Sequence, residues 1–206
     1  MNSPQAAPVP ALQNRRQVLG LLAAGAALVG STTPAHAFFF RRREAEKQAK
    51  LDLTGLPGEW IARETELKGY ADFLASLKLR NITPRMVIEA HAKRRGNVWN
   101  TLPPKRMWRN IAPTLRAIDL VSTEVGQPVK ELISIYRSPA YNARCFGARR
   151  GSWHQTNVAV DVSFPVAASV IAQAARDLRS KGHFSGGIGR YGSFTHIDTR
   201  GQNIDW

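Results

Sequence analysis

Cysteine is almost absent: Cys145 is the one thiol in 206 residues. That excludes an intramolecular disulfide framework and a zinc site closed by several thiolates. No cysteine follows the N-terminal apolar run, which excludes a lipid anchor there. Cys145 reads as a small packing residue, since no catalytic partner can be assigned to it. Acidic residues are scarce as well, with 15 Asp and Glu against 29 Lys and Arg and a formal net charge of +14. Such a balance favours polyanionic surroundings (nucleic acid, anionic lipid or a carboxylate-rich polymer) or is simply a soluble basic surface. The basic residues are scattered and no nucleic-acid motif is present, so no nucleic-acid partner is expected. There is no internal repeat and no low-complexity tract. The 13-residue apolar run from Val18 to Gly30 falls short of the roughly 20 residues needed to span a bilayer.

What the N-terminus does contain is the pattern of an export signal. Arg15 and Arg16 precede that run, which is rich in Gly and Ala, and Ala35-His36-Ala37 supplies a small-x-small cleavage site. Residues 1–37 are therefore expected to be a signal, of the twin-arginine type or a Sec signal that happens to carry two arginines. The mature chain would begin at Phe38 in the periplasm, with no stable membrane anchor left. Removing 1–37 takes away two positive charges and no acid, so the mature chain stays strongly basic.

Residues 38–103 read as a basic lead-in and a helical prefix. Trp60, Ile61, Leu67, Tyr70, Leu74 and Leu77 recur near helical spacing, which predicts a helix over about 59–78. Thr83-Pro84 starts a second helix, running to about Lys93. His91 in that helix reads as a surface or packing residue. Gly96 to Pro104 is expected to be a linker. A third helix follows, with Trp108, Ile111, Leu115, Ile118 and Val121 on one stripe and Gly126 as its stop. The period then changes. Strands are predicted at 132–136, 158–162 and 194–198, with a helix over 167–181 closed by Gly182. The fold class is α+β: a small antiparallel sheet with flanking helices over 104–206, preceded by the helical prefix.

Three residues of that second part carry the chemistry. His154 lies in a Gly/Ser-flanked loop, Asp161 within the apolar strand Val158-Ala159-Val160-Asp161-Val162, and His196 within Phe194-Thr195-His196-Ile197. A carboxylate or imidazole in an apolar strand is costly to bury without a cation, a metal or several donors. Two imidazoles and one carboxylate form a ligand set that leaves a fourth tetrahedral position on Zn²⁺ open for water, as hydrolysis requires.

Ile135-Tyr136-Arg137-Ser138-Pro139, the His154–Asp161 segment and Gly186-Gly187-Ile188-Gly189-Arg190-Tyr191 resemble blocks of the D-alanyl-D-alanine metallopeptidases. So do Phe194-Thr195-His196-Ile197-Asp198-Thr199-Arg200 and Trp206. The nearest branch is the murein endopeptidase K-like group, formerly a domain of unknown function. The resemblance covers about 104–206 and the signal. It implies the hedgehog-like fold, zinc as cofactor and His154, Asp161 and His196 as its ligands. The substrate would be peptidoglycan, cut at stem peptides or cross-bridges. It further implies that Arg137 binds the substrate carbonyl or the oxyanion, with Ser138 and Tyr141 beside it at the substrate.

Two positions depart from that pattern. Asn157 stands where the family usually has Gly; Asn tolerates left-handed backbone, so the turn can survive. Ser193 stands where several relatives carry an acidic base. Asp198 is two residues from His196 on one strand and so projects from the same face. It is either the general base or a partner that orients a zinc-bound imidazole. His183 is a weaker candidate base. A catalytically inactive, zinc-containing wall-binding module of the same fold is the alternative to an enzyme. Oligomeric state is not legible.

Overall fold

The computed structural model describes residues 51–206. The expected export signal, the start at Phe38 and the lead-in to Lys50 lie outside those residues. Among the described residues, no helix is long and apolar enough to cross a membrane.

The expected helix over 59–78 is two helices, α1 (Gly58–Ile61) and α2 (Leu67–Ser76). Between them the backbone bonds tighten to three-residue spacing, as in Arg63 N–H to the Trp60 carbonyl and Leu67 N–H to that of Glu64. The kink lets Trp60 turn fully inward, where its indole N–H donates to the Asn100 carbonyl at 2.8 Å. Helix α3 (Pro84–His91) starts as expected, with the Thr83 hydroxyl accepting from Met86 N–H and Pro84 in the first turn. His91 is a packing residue, fully buried and 3.3 Å from the Tyr70 hydroxyl.

Part of the expected linker is a hairpin, β1 (Arg94–Arg95) with β2 (Val98–Trp99), turning at Gly96, whose φ is 59°. Residues Lys105–Ile111 wind as a 3₁₀ helix and pass into α4 (Ala112–Val125). Pro113 has no N–H to continue the ladder there. Gly126, left-handed at φ 65°, ends α4 as expected.

The sheet has five strands rather than three, in the order β3-β4-β6-β5-β7. These are β3 (Glu131–Ser134), β4 (Ala159–Ser163), β5 (Gly187–Arg190), β6 (Thr195–Asp198) and β7 (Ile204–Asp205). All neighbours are antiparallel except β5 and β7. A short helix, α5 (Pro139–Asn142), follows β3, and α6 (Ala168–Ser180) joins β4 to β5.

Register gives the two sheet faces different jobs. Val160, Ile197 and Ile188 are direct partners across β4, β6 and β5, and all three are fully buried. They join a core that runs continuously from Leu56 and Trp60 through Leu115 and Ile118 of α4. The prefix therefore shares one core with the sheet. Each such aliphatic side chain contributes about 1.5–3 kcal/mol by burial. Strand alternation turns the residues between them to the opposite face. Along one row across that face lie Ser134, Asp161, His196 and Gly189.

Candidate metal centre

Asp161 and His196 sit opposite each other on β4 and β6, so their side chains meet on one face. His154 arrives from a 3₁₀ turn (Trp153–Thr156) that precedes β4. The Ser152 hydroxyl caps this turn and Asn157 closes it at φ 59°. Asn157 thus takes the left-handed conformation that asparagine tolerates, and its amide also donates to the Met107 carbonyl at 2.9 Å.

The three side chains are buried, and each offers one ligand atom within 4.8 Å of the others. His154 Nδ1 lies 2.6 Å from the Ile135 carbonyl oxygen, an acceptor only, so the ring proton is assigned to Nδ1. Its Nε2 is left facing Asp161 Oδ1 at 3.3 Å. His196 Nε2 lies 3.0 Å from Asp198 Oδ2, and its Nδ1 faces the same Asp161 Oδ1 at 2.8 Å. The remaining carboxylate oxygen, Asp161 Oδ2, accepts from Arg137 Nη2 at 2.6 Å.

The charges follow from that layout. Burial pushes the His154 imidazole down, against the pull of Asp161, so its Nε2 keeps a lone pair at neutral pH. Burial would raise Asp161, but the two facing rings outweigh it and hold the carboxyl well below the usual carboxylate range. His196 is raised: burial opposes its charging, but carboxylates at both ring nitrogens prevail. A lone pair of His154 and an anionic oxygen pointed at each other need a cation between them. Ligand atoms about 2.0–2.1 Å from a tetrahedral zinc lie roughly 3.4 Å apart, close to the His154–Asp161 spacing. The donor set therefore fits a divalent cation bound through His154 Nε2, Asp161 Oδ1 and His196 Nδ1.

Asp198 does not fit the role of general base. It has no solvent exposure and accepts from Gly187 N–H at 3.0 Å, from Arg200 N–H at 3.1 Å and from Arg200 Nε at 2.8 Å. Arg200 Nη2 adds a further donor to the Oδ2 that faces His196. Burial would raise its carboxyl, yet Arg200, His196 and the two backbone donors hold it far below the ordinary range. A carboxylate so saturated takes up no proton near neutrality. Its geometry is that of the other role weighed above, orienting the His196 ring.

Arg137 spends two of its donors on the frame, Nε on Ser134 Oγ at 2.7 Å and Nη2 on Asp161. Its Nη1 has no hydrogen-bond partner among the described residues. Ser138 and Tyr141 also have places in the local framework. The Ser138 hydroxyl caps α5 by accepting from Tyr141 N–H, and Tyr141 is buried, which raises its phenol. His183 is exposed, in the turn after α6, and shares no side-chain hydrogen bond or ion pair with the three ligands. Ser193 is exposed too. Cys145 is partly buried and its thiol donates to the Tyr141 carbonyl at 3.4 Å.

Sequence reasoning left Ser134 and Arg200 without roles. The signal for Arg200 was available in Gly186-Gly187-Ile188-Gly189, a strand stripped of side chains wherever Asp198, Arg200 and Trp206 lie against it.

The α+β sheet thus presents on one face a buried His/Asp/His group able to hold a metal ion. The Peptidase M15 family model matches residues 82–198, and the chain belongs to that family of metallopeptidases. The match begins ahead of the boundary at 104 drawn from the sequence and takes in α3 and the β1–β2 hairpin. No curated protein and no solved structure matches the chain.

Proposed function

We propose that this protein is an exported zinc-dependent peptidase that hydrolyses stem-peptide or cross-bridge bonds of peptidoglycan in the periplasm. The observation that carries it is the convergence of His154, Asp161 and His196 in a chain of the M15 family. The surplus of Lys and Arg suits a wall polymer rich in carboxylates.

Zinc held there supplies a Lewis acid that polarises a scissile carbonyl and makes water acidic near pH 7. The protein's part is to aim three donors, with His154 kept neutral and Asp161 ionised, while His196 gives up its proton as the metal binds. Burial keeps His154 neutral, Arg137 pins Asp161 through Oδ2 so that Oδ1 points inward, and Asp198 holds the outer nitrogen of His196. Arg137 Nη1, next to Asp161 and without a partner among the described residues, is the donor available to a substrate carbonyl oxygen or its oxyanion. Neither Ser193, which stands in place of an acid, nor the saturated Asp198 offers a free carboxylate to take the proton.

That missing acid is the specific observation favouring the other reading, a non-catalytic zinc-containing wall-binding module. Digestion of purified muropeptides, read by mass spectrometry with and without a chelator, separates the two. Chelator-sensitive cleavage is expected, and the products identify endopeptidase or carboxypeptidase action. Binding without cleavage of any muropeptide would establish the module instead.

A further inference from the structure

Arg200 and Trp206 lie in the motif blocks, and neither is one of the three candidate ligands. The Arg200 guanidinium closes on Asp198 and lies between two indoles, 5.0 Å from the Trp153 ring centre and 5.3 Å from that of Trp206. Both tryptophans remain well exposed, 39% and 46%, so burial of apolar area alone does not account for their placement. The Trp206 ring also packs on His196, with centres 5.2 Å apart.

Trp206 is itself held firmly. Its backbone N–H donates to the Ile188 carbonyl at 3.2 Å, its carbonyl accepts from Arg190 N–H at 2.9 Å, and its indole N–H donates to the Tyr191 hydroxyl at 2.9 Å. The seat exists only because β5 is bare. A Cβ on Gly189 would lie 2.5 Å from the Trp206 indole, and one on Gly187 would lie 2.6 Å from Asp198 Oδ2 and 2.9 Å from Arg200 Nη2.

We infer that Trp206 and Arg200 are positioning residues of the metal centre. Trp206 and Trp153 clamp the guanidinium, the guanidinium fixes Asp198, and Asp198 fixes the ring of His196 so that Nδ1 faces Asp161. Without the clamp, Asp198 can swing and the imidazole can turn its other nitrogen inward, so fewer molecules present a formed site. This rests on the metal-centre reading above. It does not depend on which wall bond is cut, or on whether any is.

The test measures zinc affinity of the purified mature protein by competition with a chromophoric chelator, alongside the visible spectrum of its cobalt-loaded form. Trp206→Leu, Arg200→Gln and Gly189→Ala (which displaces the indole without altering it) should each weaken zinc binding by about 10–100-fold. The cobalt bands should shift in each variant that stays folded without metal; Arg200→Gln should also lower metal-free stability, because it leaves the buried Asp198 carboxylate without its charged partner. Trp206→Phe, which keeps an aromatic face over Arg200, should stay within a few-fold of the parent. Parental affinity in folded Arg200→Gln and Gly189→Ala would overturn the inference. So would Trp206→Phe losing as much as Trp206→Leu. Should Trp206→Leu not fold, Gly189→Ala and Trp206→Phe decide. A parent that binds no zinc defeats the metal reading and this inference together, whereas a zinc-binding parent without wall-peptide cleavage defeats only the hydrolase.

Discussion

Asp161 and His196 face each other across antiparallel strands, Nδ1 of the ring 2.8 Å from Oδ1 of the carboxylate. Each has a second partner on its far side, Arg137 for Asp161 and Asp198 for His196. Such outer partners set which atom of a ligand looks inward, and their loss is measurable apart from loss of the ligands.

For Asp198 the two candidate roles give opposite results. Asp198→Asn should weaken zinc binding about 10–100-fold, the effect of losing an orienting partner. Chelator competition on the folded variant measures it. Parental zinc affinity with turnover reduced about 10²–10⁴-fold would restore the general-base role.

Removing the cation from the Arg137–Asp161 pair leaves a buried carboxylate without its strongest donor. Arg137→Met should destabilise the metal-free protein by about 3 kcal/mol, the low end for a broken buried pair because Arg137 is partly exposed. Zinc saturation should recover part of that loss, since a cation then sits at the other carboxylate oxygen. Urea unfolding with and without zinc is the check, and a metal-free loss below about 1 kcal/mol would count against the pairing.

His91 supplies a pH signature unrelated to the metal. Burial beside Tyr70 pushes its imidazole down to about 3, from an ordinary 6.5. Between those values the unfolded chain binds a proton that the folded protein refuses. The stability it contributes is therefore complete above about pH 6.5 and is lost as pH falls, by up to about 1.4 kcal/mol per unit. His91→Gln should show a shallower decline between pH 7 and pH 5 in urea unfolding. Equal slopes would mean that the imidazole is not excluded from charging.

The proposed export rests on Arg15 and Arg16 ahead of the apolar run. Replacing both with lysine should hold the protein in the cytoplasm if the twin-arginine route is used, as fractionation would show. Normal periplasmic recovery with a new N-terminus at Phe38 would assign export to the Sec route.

Two of the three candidate ligands were legible because a polar side chain interrupts an apolar strand there. Asp161 among valines and His196 between Thr195 and Ile197 required partners, and strand periodicity placed Asp198 on the same face as His196. The left-handed turn at Asn157 was legible through the family resemblance, which has glycine there, and because asparagine tolerates that backbone. Strand β5 was hidden because Gly187 and Gly189 give no alternation to read, and β7 because two residues carry no period. The roles of Asp198 and Ser138 depended on which donors the fold brings alongside. For Asp198 these are Gly187 N–H on a neighbouring strand and the side chain of Arg200, neither of which spacing alone assigns.

His154, Asp161 and His196 together are expected to hold one catalytic metal ion. Elemental analysis of the purified mature protein and of its folded His196→Ala variant tests it most directly. About one zinc per chain is expected in the parent, and close to none in the variant. Equal zinc in both, or none in a zinc-supplemented parent, would contradict it.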